Sequence, residues 1–72
     1  MYTLTDTFNN YPISRHRTLL AAVRAEGKHL RTIRRANGPN SYLTYEITGP
    51  DGKRVNYEDL IEAEETIRYE RA

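Results

Sequence analysis

Seventy-two residues with no cysteine, a hydrophobic content of 38% and a formal charge of +1 describe one small domain without disulfides or a thiolate metal site. No stretch is long and apolar enough to cross a bilayer, and the N-terminus lacks the charged-then-apolar signal pattern, so the expectation is a soluble cytoplasmic protein without membrane partners. A chain this short buries a modest core, and dimerisation is the common remaining way for it to add buried area.

In chain order, Tyr2 to Phe8 alternate, with Tyr2, Leu4 and Phe8 on one face and Thr3, Thr5 and Thr7 on the other. Threonine and aromatics in alternation predict a strand over 2–8. Asn9-Asn10-Tyr11-Pro12 reads as a turn. Ser14 is a candidate helix cap, with Thr18 as a later one. Leu19, Leu20, Val23, Leu30 and Ile33 then recur at helical spacing, and Asn37-Gly38-Pro39 stops the helix. Gly27 leaves two readings. One helix runs from about 15 to 36, with Gly27 admitting close approach of another element; or a shorter helix ends at Gly27 and 29–36 is a strand. The three-residue spacing of Leu30 and Ile33 favours the long helix.

Residues 42–48 alternate again, with Leu43, Tyr45 and Ile47 on one face and Tyr42, Thr44 and Glu46 on the other. Gly49-Pro50-Asp51-Gly52 is a tight turn, after which Lys53-Arg54-Val55 is expected to return as a short strand. Asn56 caps a second helix over about 57–70, with Tyr57, Leu60, Ile61 and Ile67 inward and Glu64–Arg68 as an i,i+4 pair. The expected architecture is α+β, a single domain over 1–72 in the order β-α-β-β-α, with an antiparallel sheet packed on the helices.

Charge is segregated along the chain. Residues 15–35 carry seven basic side chains against Glu26, and 58–72 carry six acidic against Arg68 and Arg71. On a continuous helix Arg17, Arg24, Lys28, Arg31 and Arg35 fall within an arc of roughly 60° and span about 27 Å. Arginine suits bidentate contact with phosphate or carboxylate. Such a ridge fits nucleic-acid phosphates, an acidic protein surface, or the acidic tail of its own chain; otherwise it is a solvated face. The acidic residues Glu58, Asp59, Glu62, Glu65 and Glu70 read as the exposed face of the second helix. Of the six tyrosines, Tyr2, Tyr45 and Tyr57 are expected in the core, whereas Tyr11 and Tyr42 are candidates for stacking or interface contact.

No catalytic motif is present. His16 and His29 fall on different faces of the expected helix and have no carboxylate at metal-ligand spacing. Helix-turn-helix and RRM aromatic patterns are absent too. No cofactor or metal is called for, and the expectation is a binding protein, not an enzyme.

The run Ser14-Arg15-His16-Arg17-Thr18-Leu19, then Lys28-His29-Leu30-Arg31 and Arg34-Arg35-Ala36-Asn37-Gly38, followed by Asn40-Ser41-Tyr42-Leu43, resembles short uncharacterised accessory proteins of bacteria and their phages and plasmids. It covers about half the chain. The resemblance implies a mobile-element protein that binds a host enzyme, a defence complex or nucleic acid; anti-CRISPR inhibitors are one class of that kind. The leading expectation is phosphate-backbone binding through Arg17, Arg24, Lys28, Arg31 and Arg35, helped by Tyr42. The alternative is a mobile-element protein that inhibits or modulates a host complex.

Overall fold

The computed structural model describes residues 1–71, with the side chain of Arg71 left undescribed. The elements are β1 (Tyr2–Asp6), β2 (Tyr11–His16), α1 (Leu19–Asn37), β3 (Tyr45–Thr48) and α2 (Tyr57–Arg71). The class is α+β, as expected, but the order is β-β-α-β-α. The sheet runs β2-β1-β3 with both pairings antiparallel.

The difference in order arises at Tyr11–His16. The turn comes earlier, over Thr7–Asn10, where Asn10 adopts φ 53°. Asn tolerates this left-handed region better than most residues. Tyr11 then begins β2, and Pro12 is admissible because β2 pairs only with β1 and so is an edge strand. Leu4 faces Ser14 and Thr5 faces Pro12, so Ile13 is an extra residue in a bulge. Ile13 packs on the core from there. The bulge breaks the alternation that would have marked the strand.

Ser14 is thus a strand residue, with its hydroxyl 2.7 Å from His16 Nε2. Thr18 is the cap of α1: its side chain accepts from the Ala21 amide at 3.1 Å. The helix continues through Gly27 to Asn37, which settles the two readings in favour of one helix. A Cβ at Gly27 would meet nothing closer than the Arg31 guanidinium at 3.9 Å. The close approach expected there does not occur.

Leu4 and Ile47 are directly opposed on β1 and β3 and are 0% exposed. Ala22 and Val23 of α1 close over them, and Ala63 brings α2 to the same core. The small Ala22 lets the helix lie close to the sheet. Helix α1 touches β1, β2 and α2, whereas α2 packs chiefly on α1. The strand expected over 42–48 begins only at Tyr45, and the return of 53–55 is one bridge, Thr48–Arg54, supported by the Val55 amide donating to Ile47 O at 2.8 Å. Asn56 caps α2 as expected, accepting from the Asp59 amide at 2.8 Å.

The molecule is a slab, 34 × 33 × 18 Å. Its accessible surface is 5595 Å². A compact monomer of its 8.4 kDa mass exposes about 4,600 Å². The flat shape therefore leaves a large surface open for its size.

Candidate functional site

The expected five-residue ridge is shortened. Arg17 lies in the bend before α1, because the helix starts at Leu19. Arg24, Lys28, Arg31 and Arg35 do lie on α1, and all four are exposed. They stand roughly 160° round the helix from the midpoint of the buried Ala22 and Val23 and span about 16 Å. The core face points to the sheet, so the cations point away from it.

Arg24 is engaged within the chain: its guanidinium pairs with the Glu70 carboxylate on α2, the sole ion pair among the described residues. Part of the ridge is therefore neutralised by the acidic helix. Lys28, Arg31 and Arg35 remain. Arg34, on an adjoining face, donates from Nε to Ser41 O at 2.9 Å and ties the loop after α1 back to the helix. Arg34 and Arg35 sit in the last turn, where cations also complement the helix dipole. The acidic residues Glu58, Asp59, Glu62, Glu65 and Glu70 are exposed, as expected.

Between α1 and α2 the chain gathers Glu26, Tyr45 and Glu64, a grouping that sequence reasoning misses because the three lie on separate elements. Burial and then the nearby Glu64 carboxylate push the Glu26 carboxyl above its ordinary range. Burial, with the two carboxylates beside it, pushes the Tyr45 phenol up to about 12. The expected Glu64–Arg68 pair does not form; Glu64 interacts with Tyr45 instead.

Tyr42 is 78% exposed and stands in the loop between α1 and β3. With Phe8, 86% exposed, it lines an open cleft of about 500 Å³ floored by His29 and Ile33 of α1. Phe8 does not share the core face with Tyr2 and Leu4, because β1 ends at Asp6. The Asp6 carboxylate accepts from the amides of Phe8 and Asn9 at 2.9 and 3.1 Å and from Asn9 Nδ2 at 2.9 Å. These bonds, that of the Asn9 side chain first, hold the Asp6 carboxyl below its ordinary range. They also fix the turn that presents Phe8. The Asp6-x-x-Asn9 spacing is the sequence signal for this turn. Tyr2 and Tyr45 are half-buried against the core, but Tyr57 is 75% exposed, which corrects its expected core place. It is the first residue of α2 and lines an open groove with Glu46, Arg54 and Leu60.

Among the described residues no group of three or more His, Asp or Glu side chains converges to hold a metal. No helix of the described residues is long and apolar enough to cross a membrane. No protein-family model, curated protein or solved structure matches the chain.

Proposed function

We propose that this protein binds nucleic-acid phosphates through Lys28, Arg31 and Arg35. The observation that carries the reading is their placement: three exposed cations on successive turns of α1, directed away from the sheet, with no ion-pair partner among the described residues. Residues 27–44 contain four basic side chains and no acidic one, and the carboxylates of Glu26 and Glu64 line a groove on the α2 side of the row, beside Arg31. Arg24 contributes less, since Glu70 competes for it, and Arg17 does not belong to the row. On this reading the protein works by binding and not by catalysis, in the cytoplasm, and the bacterial mobile-element setting implied by the resemblance is compatible with it.

The test is fluorescence anisotropy with labelled single strands and duplex at low and physiological salt. Wild type is compared with a Lys28→Glu/Arg31→Glu/Arg35→Glu variant. Salt-sensitive binding that the variant loses supports the reading. Absence of binding at low salt sinks it, and a defined complex with an acidic host protein that oligonucleotide does not displace would favour the alternative, a modulator of a host complex.

A further inference from the structure

The Phe8–Tyr42 cleft lies one flank round α1 from the cation row, and nothing in the core explains its two aromatic walls. Phe8 and Tyr42 are among the most exposed large side chains of the chain. The backbone that carries each is nonetheless anchored: that of Phe8 by the Asp6-capped turn, that beside Tyr42 by the Arg34 bond to the adjacent Ser41 carbonyl. Two aromatic side chains on anchored backbone, lining one open cleft, offer faces for stacking. Asn37 and Thr44 supply amide and hydroxyl groups at its rim.

The surroundings specify the occupant. Asp6 is the one acidic residue at the cleft, and both of its carboxylate oxygens already accept hydrogen bonds within the turn. The cations of α1 lie on the other side of Thr32 and Ala36, two small exposed residues that leave a low crossing between row and cleft. A polyanion carrying flat rings along its length matches both parts.

Resting on the phosphate-binding reading above, we propose that the cleft between Phe8 and Tyr42 takes an unpaired nucleobase of a single strand whose phosphates lie along Lys28 and Arg35. A base inside a duplex is stacked and paired and does not present its face to the cleft. The protein therefore prefers single strands to duplex of the same length. The contact is with the ring face, so the preference for base identity is weak.

The experiment compares labelled oligothymidylate, an abasic strand of equal length and a duplex, at one low salt concentration, by fluorescence anisotropy. Wild type binds oligothymidylate about tenfold or more tighter than the abasic strand, the size expected for removal of one or two stacked bases. Phe8→Ala/Tyr42→Ala removes that difference and leaves abasic binding unchanged. Phe8→Tyr/Tyr42→Phe, which keeps both ring faces, restores it. Equal affinity of wild type for base-bearing and abasic strands overturns the cleft while leaving the cation row standing. Tighter binding to duplex than to oligothymidylate overturns it as well. Failure of wild type to bind any of the three overturns the phosphate reading and this inference with it.

Discussion

The two helices carry opposite charge and meet the core on different terms. Helix α1 lies across the sheet, buries Ala22 and Val23, and turns its cations outward; α2 leans on α1 and buries Ala63, with Leu60 and Ile67 partly covered. Charge on α1 is thus the reverse side of a helix that must be where it is. Charge on α2 partly serves α1, since Glu70 holds Arg24. A basic stripe in a sequence is available to a partner only where the fold leaves it unpaired, and here that reduces five candidates to three.

The contrast in burial is the easiest to break. Leu4→Ala removes a fully buried side chain beneath α1 and is expected to cost about 2–5 kcal/mol in urea unfolding, whereas Ile67→Ala, from the half-covered face of α2, costs about half as much. Equal costs would mean that α2 is as much a part of the core as α1. Removing the caps sharpens the comparison: Thr18→Ala and Asn56→Ala each lose about 1 kcal/mol, and hydrogen exchange in the Asn56 variant rises in α2 before it rises in α1. Gly27→Ala acts in the other direction. The site is open and helical, so alanine raises stability by about 0.5–1 kcal/mol, read as a higher urea midpoint. Glu70→Gln is the smallest perturbation of the fold, about 0.2–1 kcal/mol, and it frees Arg24, so binding of single strands tightens and its salt slope steepens.

The groups between the helices make the comparison depend on pH. The Tyr45 phenol, raised from 10.0 to about 12, binds its proton more tightly in the folded than in the unfolded protein. Stability therefore falls as pH rises from about 10 to about 12. Phenolate absorbance should show a component near 12 that Tyr45→Phe abolishes. Glu26 has the same sign at acid pH: its raised carboxyl favours the folded state when protonated, so its contribution is lost as pH rises above the ordinary value of 4.5. Glu26→Gln removes that fall; an unchanged pH profile would contradict the burial of this carboxyl against α2.

Much of this is readable from periodicity. The 3.6-residue recurrence of apolar side chains locates α1 and places its cations on one face, and Asn56 announces α2. The failures share a cause, which is that pairing and bulging are decided by neighbours distant in sequence. Tyr11-Pro12-Ile13-Ser14 carries turn and cap residues, yet β1 recruits it as an edge strand that tolerates Pro12 and displaces Ile13 into a bulge. That one strand takes Ser14 away from the cap, moves the helix start to Leu19 and removes Arg17 from the row. The cleft is half-legible: Tyr42 stands out as an exposed aromatic, but Phe8 alternates with Tyr2 and Leu4 as if on one strand face, and nothing local shows that β1 ends at Asp6. The Glu26–Tyr45–Glu64 grouping joins three elements and has no sequence signature.

The most direct test of the central claim is the dependence of single-strand affinity on salt. Plotted as logarithms, the wild-type slope should fall in magnitude by about 2 when Lys28, Arg31 and Arg35 are all replaced by alanine, corresponding to about 0.7 for each phosphate that is no longer neutralised. An unchanged slope, or no binding by wild type at the lowest salt, would contradict the assignment of this face of α1 to phosphates.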